Sequence, residues 1–125
     1  MSVEEASYFR PQRLLTQGEV EAELIRLSDA LENETVRFAH VAERVAETEA
    51  DFKRQFFGQV LVSVNNDRRM TVGERNARAH LAAEDAYRIS KIYEARLDAA
   101  RQACMSLRTR IEALRTIAAN VRAQS

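Results

Sequence analysis

The stretch LDAARQACMSLRTRIEALRTIAANVR, residues 97–122, decides the fold. Its apolar positions Leu97, Ala100, Cys104, Leu107, Ile111, Leu114, Ala118 and Val121 step by three and four residues in alternation. That period keeps one stripe of a helix turned towards a neighbouring helix over many turns. Arg101, Arg108, Arg115 and Arg122 each follow the second seam residue of a heptad, so a cationic edge runs beside the stripe. Such an edge serves either to pair with acids of a partner helix or to track a phosphate backbone.

The same stepping recurs upstream. Thr16-Gln17-Gly18-Glu19 has the form of a capping box, with the threonine hydroxyl positioned for the Glu19 amide. Val20, Leu24, Leu27, Leu31, Phe38, Val41, Val45 and Phe52 follow in the 3-4 pattern, interrupted by Glu34 and Thr48 at seam positions. The pattern predicts a first helix over about 17–64, through Gly58 at a cost of about 1 kcal/mol. The run Val60–Val64 has strand-like composition, but no other segment alternates to pair with it, so it reads as helix. Asn65-Asn66-Asp67 opens a turn over about 65–71. Thr71-Val72-Gly73-Glu74 then repeats the cap, and a second helix is predicted without interruption over about 72–122.

The expected fold is therefore all-α, an antiparallel hairpin of two long coiled-coil-like helices, since a short connection favours antiparallel neighbours. Each rod would be about 70 Å long at 1.5 Å per residue. Leu24, Leu27, Leu31, Phe38, Val45 and Phe52 are expected to form the seam with Leu97, Leu107, Ile111 and Leu114. One hairpin leaves each seam half covered, which predicts self-association into a homo-oligomer. The hairpin domain spans 16–125. Residues 1–15, with Pro11 and no sustained period, read as a flexible N-terminal arm.

Composition narrows the function. Hydrophobic residues make up 46% and charged residues 30%, with three Gly, one Pro and no Trp, a profile that suits helices and disfavours sandwiches and α/β sheets. The formal net charge of zero hides a division. Residues 1–67 carry 13 acids against 7 bases, whereas residues 68–125 carry 6 acids against 12 bases. Lys53 and Lys91 are the only lysines, so the cations are almost all planar guanidinium forks suited to carboxylates and phosphates.

Catalysis finds no foothold. His40 and His80 lack the neighbours of a metal site, and neither a Gly-rich phosphate loop nor a nucleophile motif occurs. No enzyme activity, cofactor or metal is expected. A lone Cys104 on the seam excludes a disulfide framework. The apolar stretch from Phe56 to Val64 is too short to span a bilayer. With no signal peptide, the chain reads as cytoplasmic and without a membrane partner.

What remains is the arginine set. Arg68 and Arg69 mark the turn, Arg75 and Arg78 open the second helix, and Arg108, Arg110, Arg115 and Arg122 line its end. These are the candidate contacts to single-stranded DNA, with Tyr87 or Tyr93 as stacking partners. The alternative is that they pair with Glu43, Glu47, Glu49 and their neighbours on the first helix.

The segment Thr71-Val72-Gly73-Glu74-Arg75-Asn76-Ala77-Arg78-Ala79, leading to Leu107-Arg108-Thr109-Arg110-Ile111-Glu112-Ala113-Leu114-Arg115, resembles small helical tailed-phage proteins similar to the recombination mediator UvsY. The resemblance spans about residues 45–122. It implies a non-enzymatic DNA-recombination accessory protein of a bacteriophage, acting in the host bacterial cytoplasm. Proteins of that kind assemble into rings, bind single-stranded DNA, and help load a recombinase against single-strand-binding protein. Their DNA contacts are basic, which carries over to Arg68, Arg69, Arg75 and Arg78 and to the arginines at the helix end. Two readings stay open beside it: a coiled-coil scaffold or adaptor that binds only protein, and an inhibitor of a host protein.

Overall fold

The computed structural model describes residues 15–66 and 69–124. They form three helices, α1 (Gln17–Asn66), α2 (Val72–Ala82) and α3 (Glu84–Gln124). The described residues contain no strand. Apart from Leu15, the expected arm at residues 1–15 lies outside the described residues.

Both predicted caps are formed. At the start of α1 the Glu19 amide donates to Thr16 Oγ1 at 3.1 Å, and that hydroxyl lies 3.2 Å from the Glu19 carboxylate. At the start of α2 the Glu74 amide donates to Thr71 Oγ1 at 3.1 Å. Each threonine satisfies an amide that has no partner in the first turn. α1 passes through Gly58 and the β-branched run Val60–Val64 without leaving helix.

The α3 side of the predicted seam is buried as its period requires. Ala100, Cys104, Ile111 and Ala118 are buried, and Leu97, Leu107, Leu114 and Val121 alternate with them half-buried. On α1, Val20 and Leu27 are fully buried, while Leu24, Leu31, Phe38, Val41, Val45 and Phe52 are half-buried. The two polar intruders are accommodated differently. Thr48 is buried because its hydroxyl donates to the Arg44 carbonyl at 2.7 Å, so no polar group is stranded. Glu34 stays half-buried, 3.8 Å from Arg37.

Rising numbers on α1 meet falling numbers on α3. Ser28 and Leu31 share a groove with Ile111, Thr35 and Phe38 share one with Cys104, Arg44 lies over Tyr93, and Phe52 meets Tyr87. This is the packing of a helical hairpin.

The second helix departs from its expected continuity. It bends at Ala83, whose φ of −101° and ψ of 13° leave the helical region. The hydrogen-bond ladder nevertheless bridges the bend, from the Ala83 amide to Ala79 O at 3.0 Å and from the Tyr87 amide to Ala83 O at 2.9 Å. Beyond Phe52 the half-buried positions of α1 are Phe56, Val60, Ser63 and Val64. α2 packs on this end of α1 while barely touching α3.

The buried stripe of the returning chain begins earlier than residue 97. Ala79, Ala83, Ala86 and Ser90 are buried and continue the seam in the same stepping across the bend. No described helix is long and apolar enough to cross a membrane.

Candidate nucleic-acid interface

The fold does not bring the eight candidate arginines into one patch. Arg68 lies outside the described residues. Arg69 and Arg78 are exposed beside the turn, Arg75 is half-buried on α2, and Arg69 and Arg75 are both engaged by partners. Arg108, Arg110, Arg115 and Arg122 occupy the far half of α3, all exposed. Thirty residues of helix separate Arg78 from Arg108, about 45 Å at 1.5 Å per residue. The turn group and the helix-end group lie apart, and within the latter Arg110 sits on the opposite edge of the seam from Arg108 and Arg115.

Along the helix-end surface the heptad arginines line the groove between α1 and α3. Arg108 and Arg115 flank one section with Ser28 and Glu32, and Arg101 and Arg108 flank the next with Thr35 and Phe38. A hairpin locked by interhelical ion pairs would present acids along this edge. Here α1 presents Ser28, Thr35 and the Glu32 carboxylate, and among the described residues Glu32 forms no ion pair with these arginines.

Arg101 lies 3.5 Å from Asp98, and Arg115 lies 2.7 Å from Glu112, each three residues back on the same helix. Arg108 has no ion pair among the described residues. Of the acids of the alternative reading, Glu43, Glu47 and Glu49, Glu47 holds Arg44 at 2.6 Å and Glu49 holds Lys53 at 3.1 Å, both within α1. Arg26–Glu23, Arg54–Asp51, Arg88–Asp85 and Lys91–Glu94 follow the same three- or four-residue spacing. Exposed pairs of this kind contribute little and leave their guanidinium groups exchangeable. Across the groove Arg110 exerts a weaker pull. The Glu23 carboxyl sits below its ordinary value mainly through its hydrogen bond from Arg26, with Arg110 adding to the effect.

The two candidate stacking residues are already covered. Tyr87 packs edge-on against Phe52 at 5.3 Å between ring centroids, and Lys91 Nζ stands 5.3 Å from its centroid. Tyr93 lies under Arg44 and Arg96, whose guanidinium carbons are each 5.1 Å from its ring centroid. The Arg44 guanidinium beside its hydroxyl, reinforced by Arg96, holds the Tyr93 phenol below its ordinary value. Arg44 and Arg96 were outside the candidate set. One signal for Arg96 was present in the sequence: its helical neighbours Ile92, Tyr93, Ala99 and Ala100 offer no acid. The signal for Arg44 was not, since it sits among the glutamates of the acidic helix.

His80 is part of an aromatic cluster, 4.8 Å from the Phe56 ring and 6.5 Å from Phe52. His40 is exposed elsewhere on α1. Among the described residues no group of three or more His, Cys, Asp or Glu side chains is placed to hold a metal ion.

No family model matches the chain, and neither a curated protein nor a solved structure does.

Proposed function

We propose that this chain is a non-enzymatic DNA-recombination accessory protein of the phage mediator type, which binds single-stranded DNA through arginines and helps load a recombinase. The observation that carries the proposal is an arginine edge whose ion pairs at Arg101 and Arg115 stay within their own helix. Arg101, Arg108 and Arg115 line grooves with Ser28, Glu32 and Thr35 of α1, and the ion pairs of Arg101 and Arg115 run to Asp98 and Glu112 on their own helix, so no cross-helix pair of theirs must break before the edge meets a polyanion. Binding is electrostatic, with phosphates displacing local carboxylates and releasing counterions.

In the same proposal the hairpin is an antiparallel coiled coil that self-associates. The half-buried Leu24, Leu31, Phe38 and Val45 support this, because one hairpin leaves their outer halves in water. Several copies along one strand multiply weak sites through effective concentration. A single-strand-binding protein and the recombinase are the protein partners.

Labelled single-stranded oligonucleotide titrated at 50 to 200 mM salt tests the proposal. Affinity should fall steeply with salt, and Arg101→Glu with Arg108→Glu should weaken it about tenfold or more at the low-salt end. Absent binding at low salt, or affinity that ignores salt, defeats it.

The protein-only scaffold has its own support in the exposed apolar side chains at the turn end, Phe57, Leu61 and Leu81. Under that reading Arg101→Glu with Arg108→Glu leaves function intact, whereas Leu61→Glu or Leu81→Glu abolishes partner capture.

A further inference from the structure

The opposite edge of the hairpin carries arginines from both helices. On α1 the positions just before the first seam residue of successive heptads are Glu23, Ala30, Arg37, Arg44 and Asp51. On α3 the corresponding positions are Ile89, Arg96, Ala103 and Arg110. Two observations place these rows on one edge: Asp51 shares a groove with Ile89, and Arg44 and Arg96 both lie 5.1 Å from the Tyr93 ring centroid.

The centre of this edge is electrostatically unbalanced. Two guanidinium groups from different helices each lie 5.1 Å from the centroid of the Tyr93 ring. A single carboxylate serves them: Glu47 occupies Nη1 of Arg44 at 2.6 Å. Arg96 has no ion pair among the described residues, and its helix supplies no acid at three or four residues' distance. Both groups sit in the middle of long helices and not on a loop, so the cluster is held by rigid elements.

We infer that Arg44, Arg96 and Tyr93 form a clamp for one phosphodiester of a single strand, with Arg37 and Arg110 as flanking contacts on the same edge. This rests on the single-strand reading above and adds to it a site on the edge away from Arg101, Arg108 and Arg115. The chemistry favours phosphate over carboxylate. One guanidinium fork already saturates a carboxylate, whereas two forks from separate helices, together with a phenol hydroxyl, match an anion with several outward oxygens. A strand is favoured over a lone phosphate because Arg37 lies one heptad from Arg44, about 10.5 Å along the rod. Tyr93 is a positioning residue here. Its ring is covered by guanidinium groups, so it orients them and does not stack on a base.

The test compares wild type, Arg96→Gln, Arg44→Gln with Arg96→Gln, and Arg88→Gln as a control on the outer face. Each is titrated with labelled oligo(dT) across salt, and helix content is checked by circular dichroism. The double variant should bind about five- to tenfold more weakly at 50 mM salt, and its log–log salt slope should fall by roughly 0.7 for the clamped phosphate. Arg88→Gln should change neither. If the double variant loses helix, Arg96→Gln alone decides, because it orphans no acid. Inorganic phosphate added at constant ionic strength should compete only weakly. Wild-type binding with a slope unchanged in the Arg96 variants overturns the clamp and leaves the proposed function standing. Competition by inorganic phosphate as effective as by unlabelled strand overturns the strand assignment. No binding by wild type overturns both.

Discussion

The rings of Phe52 and Tyr87 meet edge to face, with centroids 5.3 Å apart and planes inclined by 61°. This contact joins α1 to α3, and Phe56 continues it onto His80 at 4.8 Å. Phe52→Ala removes the contact and opens a half-exposed gap. It should cost about 1–3 kcal/mol, less than a fully buried Phe truncation because water can enter. Urea unfolding followed by circular dichroism measures it, and an unchanged midpoint would show that the ring pair does not hold the helices there.

Gly58 offers a gain. Its backbone is helical, no glycine among the described residues has a positive φ, and a Cβ at residue 58 would meet nothing within 4 Å. Gly58→Ala should therefore stabilise the protein by about 0.5–1 kcal/mol through reduced freedom of the unfolded chain. A destabilised variant on thermal melting would mean that α1 is not continuous through this point.

The turn-proximal seam of α2 and α3 is made of small residues, and enlarging one should separate the helices. Ala86 is 7% exposed and part of the buried stripe. Ala86→Leu should cost about 1–3 kcal/mol by overpacking. Exposed Ala95 on the same helix should accept leucine within about 0.5 kcal/mol. Equal melting temperatures for the two variants would contradict the close approach.

The Tyr93 phenol reports on its cations. In a Tyr8→Phe, Tyr87→Phe background, absorbance titration should place its midpoint below that of an ordinary phenol, because Arg44 and then Arg96 favour the phenolate. Arg44→Gln should move it upward. With the folded value depressed, the associated stability is present above the unfolded value, near pH 10 for a model phenol, and is lost as pH falls through the folded value. Stability should thus rise slightly with pH in that window, and an ordinary midpoint would remove Arg44 from the hydroxyl.

Both caps, the α1 stripe as far as Phe52, and the α3 stripe from Leu97 were legible in the sequence, because each depends on spacing within one helix. The extension through Ala79, Ala83, Ala86 and Ser90 was harder to see. Alanine and serine are common on solvated faces too, and only the approach of α1 shows that these four are inside. The bend at Ala83 was invisible because no Gly or Pro marks it in the sequence.

The candidate site divides in the same way. That arginines recur beside the seam was plain from their seven-residue interval, and the local acids Asp98 and Glu112 could be read off at helical spacing. Which groups lie across the groove could not. Periodicity fixes the angle of a side chain about its own axis, but the register between two helices is set by how their stripes interlock. The sequence by itself thus determined two capped amphipathic rods and a cationic edge. Only the tertiary structure decided that this edge lies beside Ser28, Glu32 and Thr35, and that Arg44 of the acidic helix and Arg96 of the basic one share a single tyrosine ring.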